Sequence, residues 1–558
     1  MKTIKETMMV VRSLVLAITL AAVGIPVVSW AQQVPDAAAG ANRPRMDSAA
    51  NGVPVVDIVA PNARGVSHNK YQRFDVDQRG VILNNSPGIV RTQLGGYIAG
   101  NDNLKGGAAS LILNEVTSSL PSSLRGFIEV GGQAAPVVIA NPYGITCDGC
   151  GVINSQRFTL TTGTPVFGGS GSLDAFHVTG GSVTIGSGGL DGSVADRTDI
   201  IARAVQVNGQ LWAKDLNIVT GSNDANFIDG SVRANAVDAN RPAVAIDVAA
   251  LGGMYAQKIR LVGTEAGVGV VSSGVIAAQA GDLELTSAGE VRLGGTTVAS
   301  NNVSLSTPGS FSNTGQLYAG QSFDLRSGTL HNDGTIYSLG GNGNIVTAGL
   351  FETTAASTLH AGNGLALDAG AVNSSGVVDA AGTLAIASRG DANLAGAVQG
   401  GGDVAVRAAN QLNNAAVVLS GERLDLQAAR LANAAGGVAF AGGDLFVATA
   451  GDLTNDGSLV ANRNLTVNAV GIVSHGELGT QQGDASITST ADALLAGNSV
   501  VAGTLTVRAQ GALRQQGQLT VTGLNAVAQS LDNSGELYAR GDAQLHALGG
   551  LSNRLAAR

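Results

Sequence analysis

The chain has 558 residues, of which 79 are glycine, 44% are hydrophobic, 4% are aromatic and 13% are charged, with a formal net charge of −9. So few aromatic rings and so much glycine argue against compact helical domains, because glycine costs roughly 1 kcal/mol at each helix-interior site. No lysine follows Lys258, so no basic stripe exists to displace counterions and nucleic-acid binding is excluded as a reading. At the N-terminus, Lys2, Lys5 and Arg12 precede an apolar run from Leu14 to Val28, and Ser29-Trp30-Ala31 puts small residues at the −3 and −1 positions of a cleavage site. This is the pattern of a secretory signal peptide, residues 1–31, cut after Ala31. A membrane anchor fits less well, since the run is shorter than 18 residues and contains Pro26. No later segment reads as a transmembrane helix in the mature chain.

Residues 32–52, rich in Ala, Pro and Asn, read as a flexible lead. Residues 53–280 are non-repetitive and hold the most distinctive local phrases. Val55-Val56-Asp57-Ile58-Val59-Ala60-Pro61-Asn62 runs on to Ser67-His68-Asn69-Lys70-Tyr71 and Phe74. Later come Gln93-Leu94-Gly95-Gly96-Tyr97-Ile98, Ile112-Leu113-Asn114-Glu115-Val116 and Ile139-Ala140-Asn141-Pro142-Tyr143-Gly144-Ile145-Thr146-Cys147-Asp148-Gly149-Cys150. Asp199 to Asn208 and Trp212 to Gly221 complete the series. In this order the phrases resemble the secretion domain of filamentous haemagglutinin-like proteins. The resemblance implies an exoprotein of two-partner secretion, whose N-terminal domain is recognised by a dedicated outer-membrane barrel transporter carrying POTRA domains. It further implies haemagglutinin repeats that form a right-handed β-helical shaft.

Carried over residue by residue, the family's secretion motifs fall on Asn69, Lys70 and Tyr71, on Asn101, Asp102, Asn103 and Leu104, and on Asn141, Pro142, Tyr143, Gly144 and Ile145. Two positions depart from the family pattern. Asp102 replaces a proline, which removes a φ restraint worth about 0.4–1 kcal/mol, and Tyr143 replaces an asparagine. Either set reads as a tight surface corner or as a point of transporter contact.

Cys147 and Cys150 are the only cysteines. In a cytosolic chain their spacing would suggest redox chemistry or half a zinc site. Zinc needs two further ligands, and His68, His177, His331, His360, His475 and His546 show no metal spacing. In an exported chain the pair reads as a small disulfide clamp, worth roughly 2 kcal/mol by chain entropy. The pair also resembles the family subset that includes contact-dependent growth-inhibition exoproteins. No cofactor is called for by any motif.

Residues 281–558 carry an internal repeat. Leu283, Val303, Phe323, Ile345, Leu365, Leu384, Val404, Leu424, Leu445, Leu465, Ala485, Leu505, Ala526 and Ala543 form one aliphatic column, with thirteen steps covering the 260 residues between positions 283 and 543. Alternation within each phrase is that of a strand, and a fixed period of this size marks a solenoid. Asn313, Asn332, Asn373, Asn414, Asn433, Asn455, Asn533 and Asn553 form a second column, often next to glycine, which reads as left-handed corners. The repeat reads as an all-β parallel β-helix, and with what the resemblance implies the fold class is a right-handed parallel β-helix behind a capped N-terminal secretion domain.

Arg389-Gly390-Asp391 and Arg540-Gly541-Asp542 admit a receptor-binding reading, but Gly-Asp also opens strands at residues 281, 402, 443 and 483, so corner chemistry accounts for the triplets. A polysaccharide-active β-helical enzyme is the rival of another class. It would need paired carboxylates on one face of consecutive coils, and no such column stands outside the Gly-Asp corners. The sequence ends just inside another coil, which reads as a truncated frame or the leading part of a longer exoprotein. The resemblance implies a secreted or surface-exposed filament for adhesion or haemagglutination, with a host-cell or bacterial surface receptor as further partner. Its alternative is the N-terminal part of a contact-dependent growth-inhibition toxin-delivery protein without its toxin domain.

Overall fold

A computed structural model describes residues 32–236 and 241–554; the signal peptide expected over residues 1–31 and its expected cleavage position at Ala31 lie outside them. The chain is a parallel β-solenoid of about 21 turns, and 55 strands join in one hydrogen-bonded sheet system. A shaft rung holds three short strands, as in Leu283–Ser287, Val291–Leu293 and Thr296–Ala299, followed by Val303–Ser306, Ser310–Asn313 and Gln316–Ala319 one turn later. Each strand pairs in parallel with its counterpart in the next rung, for example Leu283↔Val303 and Leu285↔Leu305. Alternation decides which side chains enter the lumen: along Leu283–Ser287 the first, third and fifth are buried and the others exposed. The buried residues form one continuous aliphatic cluster from Val56 to Leu531. A rung cannot close such a lumen alone, so stability comes from stacking on neighbours.

The register corrects the aliphatic column at two places. Phe323 pairs with Gly343 rather than Ile345, and Leu505 pairs with Leu524 rather than Ala526. Ile345 and Ala526 lie in the neighbouring inward column, paired with Leu325 and Val507. A two-residue slip keeps a strand residue on the same face, so the periodicity survives the misassignment. Gly343 has a packing reason: a Cβ there would lie 2.3 Å from the Phe323 ring and 2.7 Å from Leu365 Cδ1. The ring of one rung fills the lumen of the next.

The asparagine column is also corrected. Beyond Gly267 no described residue has a positive φ, so these asparagines are not left-handed corners. Asn313, Asn332, Asn414, Asn433 and Asn455 are buried ladder residues, and Asn533 Nδ2 continues the ladder outside the buried set by donating to the exposed Asn553 Oδ1 at 2.8 Å. Asn313 Nδ2 donates to Asn332 Oδ1 at 2.8 Å, Asn414 to Asn433 at 2.7 Å and Asn433 to Asn455 at 2.7 Å. Asn373 lies one residue away, on the outside, where it accepts from Asn393 at 2.8 Å, while Ser374 holds the buried position. The neighbouring glycine serves close approach: a Cβ at Gly334 would sit 2.0 Å from the Gly315 carbonyl oxygen.

Residues 32–52 are not a flexible lead. Gln33–Pro35 pairs antiparallel with Val66–Phe74, and Arg45–Ser48 pairs antiparallel with Pro54–Asp57. Asp75 N donates to Gln32 O at 2.8 Å and Asp36 N to Lys70 O at 3.0 Å. These strands cover the open end of the first coil and satisfy its edge N–H and C=O groups, with Met46 alone among the side chains of residues 32–52 packed against the main core. Their composition is polar for that reason, and polar composition suggested mobility. Two excursions leave the solenoid among the described residues: a hairpin of Val90–Thr92 and Gly96–Ile98, and a four-stranded antiparallel sheet of Thr164–Phe167, Leu173–Val178, Asn223–Asn226 and Val232–Ala234.

Candidate functional site

Asn69, Lys70 and Tyr71 lie on the strand Val66–Phe74, in parallel register with Asn114, Glu115 and Val116 of the next coil. Asn69 and Tyr71 are buried. Asn69 Oδ1 accepts from Val59 N at 2.9 Å, and its Nδ2 donates to Leu113 O at 3.3 Å. The Tyr71 hydroxyl donates to Asn114 Oδ1 at 3.0 Å, its ring meets Phe74 edge-on at 4.9 Å, and burial raises its pKa. Lys70 faces partly outward and approaches Glu115 Oε2 at 3.5 Å, where His68 Nε2 also sits at 2.6 Å.

Burial works against the Glu115 charge, but the His68 hydrogen bond and charge, with Lys70 beside them, hold its carboxyl below the ordinary glutamate value of 4.5. A depressed folded-state pKa contributes stability that is complete above the unfolded value and is lost as pH falls through the folded value. Thermal melts below about pH 4.5 should therefore show a steeper acid loss for the native chain than for Glu115→Gln, which starts less stable at neutral pH. Parallel acid limbs in the two proteins would contradict this.

Asn101 caps a short 3-10 turn, Asp102–Leu104, by accepting from Asn103 N at 3.0 Å. Its Nδ2 donates to Ile58 O at 2.9 Å and Asn84 O at 3.0 Å, and Asn103 Nδ2 also reaches Ile58 O at 3.1 Å. Asn69 and Asn101 thus grip adjacent residues, Val59 and Ile58. Asp102 stands at the first turn position, where proline's fixed φ is useful but dispensable once an asparagine cap is present. Asn141 repeats the device: Oδ1 accepts from Tyr143 N at 3.0 Å, and Nδ2 donates to Leu120 O at 2.9 Å and Ser122 Oγ at 3.0 Å. Gly144 supplies the turn with φ +115°.

Asn69, Tyr71, Asn101, Leu104, Asn141, Gly144 and Ile145 are all buried, and Pro142 is half-buried. Asp102, Asn103 and Tyr143 are exposed, with Tyr143 at 59%. Cys147 and Cys150 are disulfide-bonded with Cα atoms 5.3 Å apart. They bridge the corner between Ile145–Cys147 and Cys150–Ile153. Asp148 N donates to Leu124 O and Gly149 N to Gly189 O, each at 2.8 Å, so the clamp locks a corner already tied to coils on either side.

Sequence reading missed a buried charge network. Asp199 is fully buried and takes Arg157 Nε at 2.6 Å, Arg197 Nε at 2.8 Å and Asn217 Nδ2 at 2.9 Å. Arg157 also donates to Phe227 O at 2.6 Å and lies 3.8 Å over the Phe227 ring, which fastens the four-stranded sheet to the solenoid. Arg203 and Glu265 pair at 2.7 Å, nearly without solvent contact. Asp199 and Arg203 open and punctuate one quoted phrase, but their partners are up to 62 residues away and carry no local signal.

On the shaft, four Gly-Asp carboxylates share one structural task. Asp282 Oδ1 accepts from Asn302 N, Asp403 from Arg423 N, Asp444 from Asn464 N and Asp484 from Thr504 N, at 2.7–3.1 Å and always 20 residues on. Asp391 does the same for Gln411 N at 3.2 Å, while Arg389 is tied to Asp368 at 3.1 Å. This Arg-Gly-Asp triplet is built into the rung.

Residues 31–293 match the family described as the TPS secretion domain, and residues 278–352, 379–455, 423–497 and 494–554 match the haemagglutinin repeat. Among curated proteins, the chain is 47% identical over 282 residues to Toxin CdiA of Yersinia pestis, covering 50% of this chain and 8% of that protein. It is 50% identical over 269 residues to tRNA nuclease CdiA of Escherichia coli (strain STEC_O31), covering 47% and 8%. The match thus spans less than a tenth of those relatives. The crystal structure of the filamentous hemagglutinin secretion domain matches with 31% identity and a TM-score of 0.44, over 56% of this chain and 100% of that one. A secretion domain followed without a break by haemagglutinin repeats is the arrangement found, and the chain belongs to the filamentous haemagglutinin-like exoproteins of two-partner secretion.

Proposed function

We propose that a dedicated outer-membrane barrel transporter with POTRA domains recognises the N-terminal domain and passes the chain from the periplasm to the cell exterior. There the repeats stack into a surface filament that serves adhesion. The observation that supports this most is the continuous lumen running from the secretion domain into the repeats: every rung docks on the one before it, so folding outside the cell supplies direction where no nucleotide is present. A few kcal/mol of net gain per rung suffices, given roughly 1.5–3 kcal/mol for each buried large aliphatic before entropy costs.

The buried motif residues act on this passage by letting the first coil close, and the exposed Asp102, Asn103 and Tyr143 are the motif positions open to a transporter. The reading is non-enzymatic, supported by the occupation of the Asp282, Asp391, Asp403, Asp444 and Asp484 carboxylates by backbone N–H groups of the next rung. A second reading, favoured by the 47–50% identity to proteins named CdiA, makes the same domain and shaft the carrier end of a contact-dependent growth-inhibition protein that meets a bacterial rather than a host receptor.

The test is secretion in a Gram-negative host with and without a two-partner transporter. The chain should reach the medium or cell surface only when the transporter is present and residues 32–293 are intact. Export without the transporter, or of a chain lacking those residues, would overturn the proposal. Binding of the exported filament to host cells or to bacteria then separates the two readings.

A further inference from the structure

One outward-facing line of side chains runs along the secretion domain through successive register partners: Phe127↔Gly151, Gly151↔Asp191, Asp191↔Trp212 and Trp212↔Tyr255. Between Phe127 and Trp212 the line sinks into a groove of about 710 Å³ beside the Cys147–Cys150 corner, with Leu251 at its rim. That volume lies within the range of small-molecule sites.

Aromatic surface closes the groove at both ends. The Phe127 ring leans over Gly151, where a Cβ would be 2.5 Å from Phe127 Cε1. Tyr255, one rung on, covers one face of the Trp212 indole at 4.5 Å and 17°. The opposite face is left turned along the axis toward Asp191 and the groove. Trp212 is 40% exposed and Leu251 90%.

Between the rings stand uncommitted polar groups. Asp191 Oδ1 is used by Ser193 N and Oγ, and Gln210 Oε1 by Trp212 Nε1 at 3.3 Å. Among the described residues nothing bonds Asp191 Oδ2, Gln210 Nε2 or the Asn208 side chain. Asp191 is the only charged residue lining the groove, so an anionic ligand meets a like charge and no cation. A small organic cation would suit a carboxylate within an aromatic cage, but Phe127 and Trp212 are three rungs apart, about 14 Å, too far to enclose one. An elongated neutral ligand with an apolar C–H face for the indole and hydroxyls for carboxylate and amides fits both features.

We propose that this groove is a binding site for a short neutral pyranose oligosaccharide, with one ring stacked on the open face of Trp212 and its hydroxyls held by Asp191, Gln210 and Asn208. The site is independent of the transporter reading. Trp212 also supplies the probe, since Trp30 is the only other tryptophan and lies in the signal segment. Emission of the full-length secreted chain is followed during titration with lactose, cellobiose, maltotriose, chitobiose and, separately, choline.

At least one sugar should give a saturable change at millimolar concentration, weakened about tenfold, or ~1.4 kcal/mol, by Asp191→Ala and by the exposed Gln210→Ala. Tyr318→Ala, on the outer face of the shaft, should leave it unchanged, and calorimetry on Trp212→Ala should show the binding heat lost while circular dichroism is retained. No saturable change with any sugar, tighter binding of choline, or undiminished binding in Asp191→Ala would overturn the proposal. So would a soluble transporter fragment that shifts Trp212 emission when no sugar does.

Discussion

A chain carrying Leu384→Asp, Val404→Asp and Leu424→Asp should fail to close three consecutive rungs and should stall during export. The three residues are direct register partners, Leu384↔Val404↔Leu424, and each is buried. The variant stacks three carboxylates at about 4.8 Å spacing in a dry lumen. Each loses roughly 1.5–3 kcal/mol of apolar burial and adds a desolvation cost of several kcal/mol. Together these exceed the roughly 5–15 kcal/mol that holds a typical domain folded.

Because rungs contact only their neighbours, the damage should remain local. Limited proteolysis of the purified variant should cut between residues 384 and 424 and leave the N-terminal portion protected. In cells, the N-terminal part should be exposed at the surface while the remainder is retained. An uncut chain secreted at the native level would refute both the lumen and its role in passage.

The solenoid was legible because the lumen imposes one requirement, an aliphatic side chain at a fixed interval, and Leu283, Leu305 or Leu465 states it in the sequence directly. Where the requirement is met by a neighbour, the spacing misleads: Gly343 is vacant because Phe323 fills its place, and the eye moves to Ile345. The asparagines were visible as a column but not as ladders, since a buried amide between rungs and an exposed amide at a corner give the same periodicity. Only pairing separates Asn332 from Asn373.

The cap is hidden in the sequence for a related reason. Gln33 and Arg45 work by hydrogen bonding a free edge, which leaves no apolar pattern. Of the candidate site, the positions of Asn69, Tyr71, Asn101 and Asn141 were readable from the family's phrases. That Asn69 and Asn101 hold the adjacent residues Val59 and Ile58 was not, because the chain between them is brought together only by coiling.

The second large effect belongs to the charge that no phrase announced. Asp199→Ala should destabilise the secretion domain by about 3–5 kcal/mol, a fall of roughly 10 °C in melting temperature. Asp199 has no exposed surface, and its loss leaves the Arg157 and Arg197 guanidiniums facing one another without their shared carboxylate. Burial already pushes the Arg157 pKa down, and Asp199 is the main group opposing that push. Arg157 also anchors Phe227, so the sheet that contains Thr164–Phe167 should become protease-sensitive before the solenoid melts.

A purely steric role for Asp199 predicts that Asp199→Asn, with the same shape, would be nearly silent. An electrostatic role predicts a loss close to that of alanine. Replacing Arg157, Arg197 and Asp199 together by Met, Met and Leu should recover much of the stability, because an apolar cluster of similar volume carries no desolvation cost. Melting temperatures of the four proteins decide the matter: a native-like Asp199→Ala refutes the network's weight, and a silent Asp199→Asn reduces it to packing.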